Sequence, residues 1–218
     1  MDASFWQRRW QRGEIGWHQD EINRHLTEHW PQLGVPATTR VFVPLCGKAR
    51  DLLWLAAQGH RVLGVEISDL AAEAFIRENR LDAQRSNTGA FQRLDAGDIV
   101  LLVGDYFSLQ PHQLDDVGAV YDRASLIALP PHQRPNYVRK LARLLAPGTR
   151  SLLITIDYDP RRMRGPPFAV SDAEVHQLYR QAFQVTHLGD HDVLAEEPGW
   201  RRRGLDWMTE HLYALTRS

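Results

Sequence analysis

An acidic residue at the end of an apolar segment is the first candidate for chemistry in this sequence of 218 residues. Glu66 closes the segment RVLGVEIS and lies 19 positions after Gly47, which belongs to the loop PLCGKARD. In nucleoside-binding folds, an acid about 20 residues beyond the glycine loop accepts hydrogen bonds from ribose hydroxyls. The spacing therefore predicts that Glu66 holds a ribose, and the competing interpretation makes it a carboxylate that caps the next helix or faces solvent.

The loop PLCGKARD contains a single glycine, Gly47. A pyrophosphate-binding turn needs several glycines so that the backbone can approach the phosphates, and a Walker loop needs Ser or Thr directly after its lysine. Neither pattern is present, so we expect a nucleoside ligand without phosphates. S-adenosylmethionine fits this description, with its ribose on Glu66, its adenine edge near Asp105, and its amino-acid portion near this loop and the N-terminal segment.

Tryptophans are concentrated near the N-terminus, where Trp6, Trp10 and Trp17 are three of the seven in the chain. Trp6 and Trp10 are four residues apart, so on a helix they share one face. A second helix is predicted from about Asp20 to residue 30, with Asp20 as its N-cap. We expect residues 1–35 to form a helical lid over a ligand, and the simpler alternative is an aromatic face that packs on the core.

From residue 40 onward, segments typical of strands and helices alternate. RVFVPL, RVLGVEIS, VGAVYDRAS and RSLLITIDY have the apolar character of buried strands, and AFQRLDAGDIVLLVGD predicts two strands joined by a turn. Alternation with helices predicts an α/β fold, a doubly wound and mostly parallel sheet that binds ligands beyond the carboxyl ends of its strands. We expect one domain over residues 1–218, with the lid at 1–35 and the α/β core at 40–218.

The composition limits the classes of function. The 26 basic residues nearly balance the 27 acidic ones, which argues against a chain that wraps nucleic acid or coats an anionic membrane. The single cysteine excludes an intrachain disulfide and a cysteine-cluster metal site, and no metal site is expected. Neither an apolar run of about 18 residues nor a signal-peptide pattern is found, so we expect a cytoplasmic protein.

Several long motifs resemble the thiopurine S-methyltransferase family, and its bacterial members in particular. They are FWQRRWQRGEIGWHQ, RVFVPLCGKARDLLWLAAQGHRVLGVEIS, VYDRASLIALPP, YDPRRMRGPPFAV and GLDWMTEHLYAL, which together span nearly the whole chain. The resemblance implies a Rossmann-like class I methyltransferase sheet of seven strands, the last antiparallel, in a monomeric enzyme. It also implies S-adenosylmethionine as the methyl donor, S-adenosylhomocysteine as the product, and a thiopurine or related heterocyclic thiol as the acceptor.

The same resemblance implies roles for individual residues. Cofactor contacts are expected from four matching positions: Trp10, Leu45, Glu66 and Arg123. Asp105 and Tyr106 match the adenine-binding position, although their sequence VGDYF is less distinctive. Trp17 matches an aromatic position that faces the substrate ring. A further substrate-facing arginine falls within GWRRRG, where the resemblance does not choose among residues 201, 202 and 203.

The acceptor side and the proton transfer are predicted from the residues themselves. The double proline in RGPPF stiffens a loop at the expected ligand edge, so Phe168 is predicted to shape the acceptor pocket. The planar guanidinium of Arg123 could also orient a heterocycle. Methyl transfer is direct and no catalytic residue is certain, because a heteroaromatic thiol ionises readily; His18 is the leading candidate for a base. Cys46 is interpreted as a small packing residue.

Three other functions compete with this interpretation. The fold alone does not distinguish a thiol acceptor from a carboxylate, an amine, or a selenium or tellurium compound, and bacterial members of the family are linked to tellurite resistance. A nicotinamide oxidoreductase is disfavoured by the missing glycines and by the close spacing of Tyr137 and Lys140. A non-catalytic module that binds a nucleoside or a nucleic acid is disfavoured by the near-zero net charge and by the lack of a basic face beyond the clusters Arg161–Arg164 and Arg201–Arg203.

Overall fold

Strands and helices alternate in the computed structural model, which describes residues 3–196 and 199–218. The chain divides into two compact units, Met1–Tyr121 and Asp122–Ser218. Each unit contains buried strands with helices between them, so the predicted α/β alternation is confirmed.

The first unit contains four parallel strands that pair side by side. Its elements are α1 Ala3–Gln11, α2 Arg24–His29, β1 Arg40–Val43, α3 Asp51–Ala57, β2 Arg61–Glu66, α4 Asp69–Glu78, β3 Gln84–Thr88, β4 Phe91–Ala96 and β5 Ile99–Val103, and β6 Val117–Arg123 ends beyond the unit's last residue. Strand β2 pairs in parallel with β1 on one side and with β5 on the other. All of β2 after its first residue is buried, as expected for a central strand of a parallel sheet.

The sheet has more strands than the resemblance implies. Nine strands are found within the described parts of the chain, in the order β3-β4-β5-β2-β1-β6-β7-β9-β8. The predicted turn at Asp95–Asp98 is confirmed, because β4 and β5 form an antiparallel pair around it. The expectation of seven strands is wrong partly because the polar segment QRSNT pairs with β4 as an edge strand without any apolar alternation.

The second predicted helix begins later than expected. Helix α2 covers Arg24–His29, and its N-cap is Asn23, whose side chain accepts hydrogen bonds from the amides of His25 and Leu26. The prediction of Asp20 as the cap is therefore wrong. The amide of Asn23 itself donates to Asp51 Oδ1 at 2.8 Å. This long-range bond selects Asn23 as the cap, and it is not visible as a local sequence signal.

The second unit consists of long antiparallel strands and short helices. Its elements are α5 Arg134–Leu144, β7 Arg150–Asp157, α6 Asp172–Tyr179, β8 Phe183–Asp192, α7 Val193–Glu196, α8 Gly199–Arg202 and β9 Thr209–Arg217. The last strand, β9, is antiparallel to both β7 and β8, which confirms the antiparallel final strand. The guanidinium of Arg134 is fully buried and donates to both carboxylate oxygens of Glu174, which ties α5 to α6.

Candidate functional site

The carboxylate of Glu66 is buried at the carboxyl end of β2, with 5% of the residue exposed. Its Oε2 accepts the amide of Gly47 and its Oε1 accepts the amide of Ser68, each at 2.8 Å. Burial raises the pKa of Glu66, and the backbone amides oppose that rise. An ionised carboxylate offers about four lone-pair positions, so each oxygen keeps acceptor capacity for a further donor, and a pair of neighbouring hydroxyls matches it.

The loop after β1 is held in an unusual backbone conformation beside Glu66. Leu45 and Gly47 have φ angles of +48° and +55°, in the left-handed region that a residue with a side chain adopts only at a cost. The amide of Cys46 donates to the carbonyl of Val65 at 3.0 Å, which anchors the loop to β2. In this conformation the Gly47 amide points at Glu66, so the acid and the loop hold each other in place.

Helix α1 places an aromatic ring over this loop. A Cβ atom added to Gly47 would lie 3.5 Å from Cζ2 of Trp10, so the indole covers the glycine. Trp17 packs edge-on against both Trp6 and Trp10, with ring centroids 5.3 and 6.0 Å apart. The structure therefore brings Trp10, Gly47 and Glu66 together within the first unit, and the ring of Trp17 packs against that of Trp10.

His18 follows this aromatic cluster and is paired with a carboxylate. Its Nε2 lies 3.3 Å from Asp20 Oδ1. Burial, followed by the charge of Lys48, lowers the pKa of His18, while Asp20 acts in the opposite direction. Lys48 is itself paired with Glu78 at 2.7 Å. A lowered pKa keeps the imidazole neutral near pH 7, which is the form that a proton acceptor requires.

The residues that follow β5 lie next to the carboxyl end of β2, where Glu66 is located. The amide of Gly104 donates to the main-chain carbonyl of Glu66 at 2.8 Å, which joins the ends of β2 and β5. Asp105 is exposed, and its Oδ1 accepts the amide of Phe107 at 2.9 Å. Tyr106 is buried and stacks on Phe42, with ring centroids 6.5 Å apart. The ring of Tyr106 is therefore part of the packed interior.

Sequence reasoning missed an aromatic residue at this position. Phe107 is 42% exposed and meets the ring of Tyr106 edge-on, with centroids 5.3 Å apart. The sequence gives little indication that Phe107 is exposed, because an aromatic residue after Asp105 and Tyr106 would also be expected in a buried turn. The exposed ring at this strand end is Phe107, so it is the better placed of the two aromatics for stacking on a base.

In the second unit, Arg123 ends β6 and is followed by Ala124, whose φ angle is +65°. The preceding Asp122 is 1% exposed, and its Oδ2 accepts the hydroxyl of Tyr137 at 2.7 Å. Burial raises the pKa of Asp122 to about 6, against the opposing effect of hydrogen bonds from Tyr137 and Ser125. Tyr137 thus donates a hydrogen bond to a buried acid, a role that its sequence context did not predict.

The predicted acceptor loop is tied down by its backbone. The amide of Phe168 donates to the carbonyl of Ile127 at 2.7 Å, and the hydroxyl of Tyr158 donates to the carbonyl of Pro167 at 2.6 Å. The peptide bonds before Pro166 and Pro167 are both cis. Phe168 itself is partly buried, so its ring is fixed in a defined loop of the second unit.

The three arginines that the sequence left open are all exposed on or just after α8. The guanidinium of Arg203 lies over the ring of Trp200, 4.7 Å from its centroid. This stacking gives Arg203 a structural partner. Among the contacts that residues 3–196 and 199–218 make, none selects Arg201 or Arg202 for a substrate.

Comparison with known proteins identifies the family. The family model for thiopurine S-methyltransferase matches residues 1–218, the whole chain. The chain belongs to the thiopurine S-methyltransferase family. The thiopurine S-methyltransferase of Nitrosospira multiformis is 48% identical over 99% of this chain and 98% of that relative. The thiopurine S-methyltransferase of Xanthomonas campestris pv. campestris is 48% identical over the full length of both chains.

Solved structures agree on the fold. A SAM-dependent methyltransferase from Anabaena variabilis gives a TM-score of 0.71 at 13% identity, over 99% of this chain and 95% of that one. The 1,6-didemethyltoxoflavin-N1-methyltransferase of Burkholderia thailandensis gives 0.67 at 18% identity, over 99% and 87%. The predicted family, the methyltransferase class and the class I methyltransferase fold are thus confirmed, apart from the number of strands.

Family membership does not by itself assign roles to side chains. Of the predicted cofactor residues, the structure brings Trp10 to the Gly47 loop and Glu66 to the same loop. Leu45 lies in that loop, and Asp105 and Tyr106 follow a strand that pairs with β2. These are observations of position, and every assignment of a residue to the cofactor or the substrate stays a prediction. Within residues 3–196 and 199–218, no helix has the length and apolar character needed to cross a membrane.

Proposed function

We propose that the protein transfers a methyl group from S-adenosylmethionine to the sulfur of an aromatic or heterocyclic thiol, such as a thiopurine. Membership of the thiopurine S-methyltransferase family supports the reaction. The observation that carries the cofactor assignment is the buried carboxylate of Glu66, fixed by the amides of Gly47 and Ser68. A buried acid with remaining acceptor capacity is costly unless a ligand or another donor satisfies it.

The residues that would hold the cofactor follow from this geometry and from the family resemblance. Glu66 would accept the ribose hydroxyls, and Trp10 and Leu45 would enclose the amino-acid portion beside Gly47. Asp105 and Tyr106 would bound the adenine, with the exposed ring of Phe107 available for stacking. Arg123 is assigned to the cofactor by resemblance alone. Bound S-adenosylmethionine supplies an electrophilic methyl carbon on a sulfonium centre.

The chain's own contribution to the reaction is positioning and the exclusion of water. Holding two reactants in line is worth up to about 7–11 kcal/mol of the barrier in favourable cases. The indoles of Trp10 and Trp17 are packed against each other beside the Gly47 loop, and they would keep water from this end of the site. A neutral His18, which follows Trp17, would accept the thiol proton where the acceptor does not arrive already ionised.

On the acceptor side, Trp17, Arg123 and Phe168 are the residues that we assign to the substrate. Phe168 is held by its amide bond to Ile127, so its ring offers a fixed apolar wall. We also propose that residues 1–218 work as one methyltransferase domain with residues 1–35 as its cover. The protein would act in the cytoplasm, as a monomer, on small molecules.

Methyl transfer from labelled S-adenosylmethionine to 6-mercaptopurine by the purified protein tests this function. We expect labelled product that disappears in Glu66→Ala and persists in Asp69→Asn, which removes an exposed acid three residues away. Saturable cofactor binding without product would overturn the thiol assignment, and selenium and tellurium compounds would then be the next acceptors to measure. Absence of both binding and product would overturn the proposed function altogether.

A further inference from the structure

The strand pair β8–β9 carries a group of polar side chains to which no role has been assigned above. The two strands are antiparallel, and Asp190 lies directly opposite His211, while His187 lies opposite Tyr213. Side chains alternate between the faces of a strand, so residues 187 and 190 would normally point to opposite sides. The register shifts between His187 and Gly189. This bulge at Leu188 adds one residue and returns His187 and Asp190 to the same face.

The result is a compact set of three metal-ligating atoms. Asp190 Oδ1 lies 2.7 Å from His187 Nε2 and 2.6 Å from His211 Nδ1. One ligand atom from each of the three residues lies within 4.8 Å of the other two. In the absence of an ion, these contacts are hydrogen bonds that hold the ligands together.

A fourth residue lies behind this set, on a third strand. Strand β7 pairs with β9 so that Asp157 is opposite Thr209, which shares a face with His211. Asp157 Oδ2 is 4.0 Å from His211 Nε2, the ring nitrogen that does not face Asp190. A histidine that binds a metal through one nitrogen usually donates its other N–H to a carboxylate, which fixes the tautomer and the ring orientation. Asp157 is placed for that role, although 4.0 Å is longer than a hydrogen bond and its side chain would have to move closer to His211.

The chemistry of the ligands selects the ion. Two imidazole nitrogens and one carboxylate oxygen suit Zn²⁺ and similar divalent transition metals, whereas Mg²⁺ and Ca²⁺ prefer oxygen ligands alone. Zinc bonds of about 2.0–2.2 Å in a tetrahedron require ligand atoms roughly 3.3 Å apart. The present separations at Asp190 are therefore shorter by under about 1 Å. The partly exposed side chains can open by that amount through small χ rotations.

We propose that His187, Asp190 and His211 form a binding site for Zn²⁺, supported from behind by Asp157, that clamps the bulge of β8 to β9. A fourth coordination position remains for water, since three protein ligands are provided. Because the ion would bind the folded chain, zinc would raise the thermal stability of the protein, and the gain would grow with the logarithm of the free zinc concentration relative to the dissociation constant.

A second group of possible ligands serves as an internal control. His25, Glu28 and His29 on α2 also place their ligand atoms within 4.8 Å of one another. They occupy a single helix of six residues. The group on β8 and β9 differs from it in that two paired strands supply its ligands and Asp157 stands behind His211. His29 does not belong to that group, so its removal should leave the proposed site intact.

Calorimetric titration of the chelator-treated protein with Zn²⁺ tests the proposal. We expect one saturable site in the wild type and in His29→Ala, and loss of that site in His187→Ala and His211→Ala. His187 is exposed, with 38% of its side chain accessible, so its substitution leaves the fold intact even if that of His211 does not. Asp157→Asn should weaken zinc roughly 10–100-fold, as the loss of a supporting carboxylate does.

Two further readouts separate a metal site from a purely hydrogen-bonded cluster. Co²⁺ in the wild type should give the visible absorption of a tetrahedral nitrogen and oxygen site, absent in His187→Ala. Zinc should raise the melting temperature of the wild type and not that of His187→Ala. No saturable binding to the wild type, or binding that persists in His187→Ala and is lost in His29→Ala, would overturn the proposal.

Discussion

Glu66 and Asp122 are both buried acids at the ends of strands, and they are satisfied in different ways. Glu66 ends β2, and a backbone amide donates to each of its oxygens. Asp122 lies next to the last residue of β6, and it accepts hydrogen bonds from the side chains of Tyr137 and Ser125, with the hydroxyl of Tyr137 donating to Oδ2. Within the described parts of the chain, its other oxygen, Oδ1, has no hydrogen-bond partner.

The difference shows what an acid at a strand end can be used for. Backbone amides belong to the folded loop itself, so the orientation of the Glu66 carboxylate is fixed before a ligand arrives. Asp122 depends on a side-chain hydroxyl and on neighbouring groups, and its pKa of about 6 lets it hold a proton close to neutral pH. We infer that the carboxylate of Glu66 is oriented to bind a ligand and that the carboxyl group of Asp122 has a structural role in the second unit.

The largest expected effect separates the two acids by cofactor binding. Glu66→Gln removes the charge from the carboxylate that we propose accepts two ribose hydroxyls, and hydrogen bonds to charged groups contribute about 1.5–3 kcal/mol each. S-adenosylmethionine should therefore bind roughly 100-fold more weakly or worse. Asp122→Asn and the exposed control Asp69→Asn should leave the affinity nearly unchanged. Equal losses in Glu66→Gln and Asp122→Asn, measured by calorimetry, would remove the distinction drawn here.

The second effect concerns the pH dependence of folding stability. The pKa of Asp122 is about 6 in the folded chain and about 3.9 when unfolded. Between these values the folded state binds the proton and the unfolded state does not, so the contribution to stability is greatest at low pH and declines as pH rises to about 6. The decline amounts to about 3 kcal/mol at most.

Asp122→Asn removes this titration. The difference in the free energy of unfolding between wild type and variant should therefore change between about pH 4 and about pH 7, in the sense that the wild type is relatively more stable at the lower pH. Denaturant unfolding at several pH values measures it. A constant difference across that range would show that Asp122 is not held protonated in the folded chain.

The smallest expected effect tests the backbone behind Glu66. Gly47→Ala must adopt a φ of +55°, which costs a residue with a side chain about 1–2 kcal/mol. The added Cβ would make ordinary contact with Trp10, so backbone strain is the main cost. Gly16→Ala is the matched control, because nothing lies within 4 Å of its added Cβ and its φ is not positive. Equal stability of the two variants would contradict a required left-handed conformation.

The sequence predicted the Glu66 side of this comparison and missed the Asp122 side. Apolar runs and the distance from Gly47 to Glu66 are local signals, and they were sufficient for β1, β2 and the proximity of Gly47 to Glu66. The partner of Asp122 is Tyr137, 15 residues farther on and across a helix boundary. No local pattern encodes such a contact.

The same limit explains the other differences between sequence and structure. Strand β3 is formed by the polar segment QRSNT, which becomes a strand only because β4 provides hydrogen bonds to it. Asn23 rather than Asp20 caps α2, and its own amide is bound by Asp51, far along the chain. The bulge at Leu188 joins His187 to Asp190 through pairing with β9. In each case tertiary pairing decides the outcome.

The surroundings of Cys46 have a practical consequence. Its sulfur lies 2.8 Å from the position that a Cβ of Gly64 would occupy, and burial raises the pKa of this thiol well above its usual range. Thiol-selective reagents attack the exposed thiolate form, so the only cysteine of the chain should not react in the folded state. A dye or spin label could therefore be attached to a single introduced cysteine, for example through Gln7→Cys on the exposed side of α1, without first removing Cys46.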